Sequence, residues 1–130
     1  MSDQCEHSFS FRVYIEDTDQ MGIVYHANFL RFFERARTEL LREKGLSLTT
    51  MATYGTHFAI HDIHIRYILP ARLDDVLVIK THYERNKACS LLFKQRMYNQ
   101  LDHMLSEVMV HVVCVDKNLK PKRLPGDWLR

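Results

Sequence analysis

Asp17, Asp19 and His26 fall close together in Asp17-Thr18-Asp19-Gln20-Met21-Gly22-Ile23-Val24-Tyr25-His26-Ala27-Asn28, directly ahead of an apolar helical pattern that starts at Phe29. A carboxylate just before a helix start suits acyl transfer. The helix N-terminus offers unpaired N–H groups and partial positive charge to a carbonyl oxygen on which negative charge develops. The carboxylate can attack the carbonyl carbon or activate a water. Gly22 allows the backbone to turn between the acid and the helix. An aspartate at such a junction is by default a turn former or cap, and Asp17 is read that way. Asp19 is read as catalytic because of its spacing to Gly22, His26 and the apolar helix. His26 has a side chain that could donate or cap, but its backbone N–H is the preferred reading. Asn28 reads as a cap for the helix-start donors.

The elements that must position these groups follow from periodicity. Phe9, Phe11 and Val13 alternate with Ser10, Arg12 and Tyr14, a half-buried strand that delivers the aspartates to its end. Phe29, Phe33, Ala36 and Leu40 share one helical face, widened by Leu30 and Leu41, and Gly45 is a left-handed cap. Residues 46–55 read as a connection with at most a short helical turn. Ile63, Ile65 and Tyr67 alternate with Asp62, His64 and Arg66 in a strand that ends at Leu69-Pro70. Val76 to Glu84, Ser90 to Asn99 and Leu105 to Val115 complete a set of strands, separated by turns at Asn86-Lys87-Ala88 and Asn99–Asp102. One strand, one long helix and four further strands make an α+β layer in which an antiparallel sheet wraps a helix. Strand order is beyond these signals.

His57, His61 and His64 invite a metal reading, but along a strand four residues span about 13 Å, too far for one ion without a bulge. They are read as polar strand residues, with no metal. Glu34 is expected to pair with a nearby arginine. Basic residues occur at Arg85 and Lys87, with Ser90 close by, and in the tail at Lys117, Lys120, Lys122 and Arg123. Either group could meet phosphates. A Gly-x-Ser-x-Gly elbow and the glycine-rich phosphate fingerprints are both missing, which excludes the usual serine hydrolase and nucleotide-loop routes.

At 130 residues the chain is expected to be one domain, and a formal charge of +2 gives no case for a nucleic-acid partner. Cys5, Cys89 and Cys114 form no spacing motif and suit free thiols in a reducing, cytosolic compartment. The sequence has no signal-peptide or membrane-spanning pattern, so membrane insertion is not expected.

Asp17-Thr18-Asp19, the run from Gly22 to Asn28, and Phe33-Glu34-Arg35-Ala36-Arg37-Thr38-Glu39 resemble the signature of the 4-hydroxybenzoyl-CoA thioesterase class of hotdog-fold proteins. The resemblance is closest to the tol-pal system-associated acyl-CoA thioesterases. Pro70–Asp75, Cys114-Val115-Asp116 and Lys120-Pro121-Lys122 fall where that subfamily has similar words. It implies a hotdog fold across residues 1–130, a five-stranded antiparallel sheet around a long central helix. It also implies hydrolysis of an acyl-CoA, or of an acyl carrier protein thioester, with no metal or redox cofactor. Asp19 then falls at the catalytic carboxylate and His26 at the helix-start N–H. Gly22 and Tyr25 fall at substrate-binding positions, and Arg85, Lys87 and Ser90 in the nucleotide-contacting region. A homodimer or homotetramer in a bacterial cytoplasm, with the site at a subunit interface, completes the expectation. One departure is Ile15, where members of the subfamily often carry tyrosine. Strand alternation would turn the neighbouring Tyr14 to the opposite face. The alternative is a non-catalytic adaptor that keeps the fold and binds acyl carrier protein or envelope-assembly partners.

Overall fold

The computed structural model describes residues 6–124, so Cys5, Pro125 and the remaining terminal residues lie outside the described residues. Strand β1 (His7–Arg12) leads through a single 3-10 turn (Ile15–Asp17) into helix α1 (His26–Glu43). A short helix α2 (Leu48–Thr53) precedes β2 (His57–Tyr67), β3 (Val76–Lys87), β4 (Ser90–Tyr98) and β5 (Met104–Val115). The strands form one sheet in the order β1-β3-β4-β5-β2, every neighbouring pair antiparallel. This is the hotdog arrangement, with α1 as the one long helix.

Alternation decides which face of the sheet meets the helix. Leu77, Ile79 and Tyr83 on β3, Leu91, Phe93 and Met97 on β4, and Val108, Val110 and Val112 on β5 are buried in one core cluster. They meet Phe29, Phe32, Phe33, Ala36, Leu40 and Leu41 of α1. Each large apolar side chain so buried contributes roughly 1.5–3 kcal/mol. At the other end of α1, Gly45 takes a φ of 79°, which a side chain would resist. Gly45 N–H donates to Arg42 O at 3.0 Å and Leu46 N–H to Leu41 O at 2.8 Å, a Schellman closure.

Several local expectations change. Strand β1 stops at Arg12, so Tyr14 caps the 3-10 turn and Ile15 opens it, both exposed, and strand alternation does not govern them. Residues Asn86 and Lys87 belong to β3, and the reversal falls on Ala88 and Cys89. Strand β2 begins at His57, and its register against β5 jumps between Ile60 and Asp62. That bulge explains why the residues on its helix side change from Phe58 and Ile60 to Ile63 and Ile65, a parity shift that is present in the sequence.

Candidate functional site

Between β1 and α1 the chain is held by backbone bonds to the segment before β3 and by bonds within its own turn. Val13 N–H donates to Asp75 O and Val24 N–H to Ala71 O, at 2.9 and 2.8 Å, pinning both ends of the connection to the segment before β3. Within it Asp19 N–H donates to Ile23 O and Gly22 N–H to Asp19 O, closing a tight turn. Gly22 has a φ of 74°, and a Cβ at this position would meet only open space, so backbone strain alone reserves the position for glycine.

The two aspartates are used differently. Asp17 Oδ2 accepts from Tyr14 N–H at 2.9 Å, and Asp17 O accepts from Asn28 Nδ2 at 3.0 Å. Asn28 therefore ties the helix start to the aspartate turn and is not the helix cap expected for it. Asp19 Oδ1 accepts from Met21 N–H at 2.8 Å and Ile23 N–H at 3.3 Å, which fixes the orientation of an otherwise exposed carboxylate. Helix α1 begins at His26 behind an extended Tyr25, and among the described residues no side chain caps it. Its first N–H groups keep the donor capacity that a helix start leaves over.

Asp19 and the helix start meet at a cleft of about 370 Å³ whose walls include Tyr25, His26, Phe29, Tyr67 and Leu69. The lining is mostly apolar and aromatic. The His26 ring contacts both the Tyr25 ring (centroids 4.5 Å) and the Tyr67 ring (5.9 Å, edge-on). Tyr67 Oη donates to His26 O at 2.9 Å, tying the end of β2 to the first residue of α1. Partial burial raises the Tyr67 pKa above its ordinary value, so the phenol stays a donor at neutral pH. Sequence alone marks Tyr67 and Leu69 only as strand residues. Their part in the cleft depends on the pairing of β2 with β5, which no local pattern encodes.

Asp19, Gly22, Tyr25 and His26 are thus brought together, whereas Arg85, Lys87 and Ser90 are not. These three lie at the β3–β4 hairpin, and β3 runs away from the Asp19 end of the sheet for about 30 Å before reaching Arg85. Arg85 and Lys87 are exposed, while Ser90 is buried and its hydroxyl has no hydrogen-bond partner among the described residues. In the tail, Lys122 Nζ donates to Tyr54 O and Thr56 Oγ1 at 3.0 and 2.9 Å, an anchor for the end of α2. Glu34 makes no ion pair within 4 Å among the described residues, contrary to expectation, and acts at longer range on Arg37. A larger concavity of about 700 Å³ lies across the sheet face away from α1. It is bordered by paired charges such as Arg66 with Glu107 and Lys94 with Glu84, so the smaller cleft beside Asp19 is the better candidate.

Residues 13–130 match the model of the thioesterase-like superfamily. The chain is 44% identical over 115 residues to the acyl-CoA thioester hydrolase YbgC of Escherichia coli O6:H1, spanning 88% of this chain and 86% of that protein. It is 45% identical over 123 residues to the acyl-CoA thioesterase YbgC of Haemophilus influenzae, spanning 92% and 89%. Among solved structures, a probable thioesterase from Bartonella henselae superposes with a TM-score of 0.87 at 36% identity, covering 92% of this chain and 99% of that one.

Proposed function

Because the chain belongs to the thioesterase-like superfamily, we propose that it hydrolyses acyl-CoA thioesters with Asp19 as the acting carboxylate and the start of α1 as the electrophilic aid. The observation that carries this reading is an oriented, exposed carboxylate at the mouth of an apolar cleft that also holds an uncapped helix N-terminus. The thioester oxygen would rest against the His26 N–H, where developing negative charge is stabilised by the N–H and the helix dipole. With Oδ1 engaged by Met21 and Ile23 N–H, Oδ2 is the oxygen left for chemistry. It either attacks the carbonyl carbon, expelling the thiolate and giving an anhydride that water cleaves, or takes a proton from the attacking water. Either route consumes one water and yields a carboxylic acid and free CoA. Tyr25, Phe29 and Tyr67 form the wall for the acyl group, and the packed His26 ring extends that wall.

The nucleotide end of the substrate calls for a second copy of the chain. Strand β2 is paired only with β5 among the described residues, and it exposes Ile60, Ile63 and Tyr67, at 49%, 39% and 44%. Pairing two β2 edges antiparallel would cover these side chains and extend the sheet. It would also turn the far end of the second sheet, with its Arg85–Ser90 hairpin, toward the Asp19 cleft of the first. Arg85 and Lys87 then become candidates for the CoA phosphates, with Ser90 at the base of the hairpin. The whole of residues 1–130 is one hotdog domain in this reading. A cytosolic setting fits the free thiols of Cys89 and Cys114.

The test is thiol release from a panel of acyl-CoAs, then from acyl carrier protein thioesters, with sedimentation run on the same sample. Release from at least one acyl-CoA by a dimer or larger assembly is expected. A protein that releases no thiol from any of them would leave the adaptor reading, and an active monomer would remove the shared site.

A further inference from the structure

We propose that His61, Asp62 and His111 form a binding site for a divalent transition-metal ion of the zinc type, on the face of the sheet opposite α1. The bulge in β2 creates it. Ile60 pairs with Val112 and Asp62 with His111, so His61 is the extra residue and two consecutive side chains stand beside one histidine of β5. In regular strand geometry His61 and Asp62 would point to opposite faces. Here one ligand atom from each of the three side chains lies within 4.8 Å of the others.

A tetrahedral ion with bonds near 2.1 Å needs its donors about 3.4 Å apart. His111 Nδ1 and Asp62 Oδ2 are already 3.9 Å apart, and the exposed His61 and Asp62 can rotate to close the rest. That 3.9 Å separation is too long for a hydrogen bond, so the cluster is not satisfied internally. The His61 and His111 rings meet edge-on with centroids 5.4 Å apart.

A second irregularity places a polar partner behind the same histidine. The register of β3 against β4 shifts between Arg85 and Lys87, and Asn86, at that shift, places its amide nitrogen 2.9 Å from His111 Nε2. With that nitrogen donating, Nε2 is the acceptor and Nδ1 carries the proton, so metal binding at Nδ1 requires the amide to turn over and its oxygen to accept the Nε2 proton. Nδ1, the nitrogen facing Asp62, then carries the lone pair that a metal requires. Two imidazoles and one carboxylate leave a fourth position for water, a donor set that suits Zn²⁺, Ni²⁺ or Cu²⁺ over Mg²⁺ or Ca²⁺. Such an ion would clip the edge strand β2 to β5 at the point where the bulge weakens their ladder. It does not touch the Asp19 cleft, which lies at the helix side of the sheet.

The experiment uses the untagged chain, stripped with EDTA and kept reduced, titrated with ZnCl₂ by calorimetry and with CoCl₂ by absorbance. One ion per chain at micromolar affinity, with the visible bands of tetrahedral cobalt, is the expected result. His61→Ala with His111→Ala should abolish binding, Asp62→Asn and Asn86→Ala should weaken it about tenfold or more, and His64→Ala should leave it unchanged. Thioester hydrolysis by the metal-free double variant should match the metal-free parent, which also reports that the variant is folded. Three results would overturn the proposal: no saturable binding below millimolar zinc, unchanged binding in the double variant, or a thiolate-to-cobalt charge-transfer band.

Discussion

Asp19 stands in the turn ahead of α1 and Arg37 on α1 itself, and the surroundings of the two charges are opposite. Asp19 is exposed at a cleft, and among the described residues its carboxylate is held by backbone N–H groups of its own turn alone. Arg37 is 9% exposed, and its Nη1 donates to Gln95 Oε1 at 3.0 Å between helix and sheet. Gln95 Nε2 in turn donates to Phe33 O and Thr81 Oγ1, at 2.9 and 3.0 Å, so one amide joins α1, β3 and β4. Burial pushes the Arg37 pKa down to about 10, with the charge of Glu34 opposing the fall, and the guanidinium remains charged at neutral pH. For Arg37 the burial-shifted pKa marks architecture. The acting group of the proposed reaction is one that stays open to substrate while its orientation is fixed.

The largest expected effect is on the open group. Asp19→Asn keeps the shape and the acceptor for Met21 and Ile23 N–H but removes the anion. Turnover should fall at least about 100-fold, the low end for loss of acid–base assistance, while the denaturation midpoint stays put. The buried pair should answer in stability instead. Gln95→Leu leaves Arg37 without its acceptor and should cost about 2 kcal/mol in urea unfolding, with turnover per folded molecule retained. A Gln95→Leu protein of parental stability that had lost its turnover would erase the distinction.

The placement of Asp19 in a turn just ahead of the helix is legible in the sequence because everything that marks it is local: a turn glycine, a helix start and a fixed spacing. Strands β3 to β5 and the face of α1 are legible for the same reason, since alternation and helical spacing act over a few residues. Gln95 is not, although it sits between Phe93 and Met97 in the inward series, because a polar residue reads as outward until its partner is known. Its partner, Arg37, lies 58 residues away. Strand order and the membership of Tyr67 and Leu69 in the cleft are long-range facts of the same kind. The separation of Arg85 from Asp19 is the extreme case, because in the proposed assembly they meet only between two chains.

Tyr67 lies between the extremes, a half-exposed phenol joining β2 to the helix start. Tyr67→Phe removes the bond to His26 O, worth about 1 kcal/mol, and if that bond positions the helix N–H the loss should appear as about fivefold in turnover. The pH dependence gives a separate readout. Because its folded-state pKa lies above the ordinary value near 10, Tyr67 supports the fold fully below that value, and the contribution fades as pH rises through the folded pKa. Alkaline unfolding titrations should show this slope in the parent and a shallower one in Tyr67→Phe. Equal slopes would remove Tyr67 from the account of the helix start.

The smallest effect should come from Asp17, two residues from the proposed acting carboxylate and chemically identical to it. Its Oδ2 accepts from Tyr14 N–H, and its backbone oxygen accepts from Asn28 Nδ2. Neither bond requires a negative charge. Asp17→Asn keeps an oxygen for Tyr14 and leaves the backbone oxygen untouched, so only the charge assistance of one exposed hydrogen bond is lost. That is worth about 0.5 kcal/mol, and turnover should stay within about twofold of the parent. Asp17→Ala, which removes the acceptor as well, should cost stability first and turnover only through the turn. If Asp17→Asn abolished thiol release while Asp19→Asn kept near-normal turnover, the chemistry would belong to the other aspartate, and the turn that orients Asp19 would be scaffolding for its neighbour.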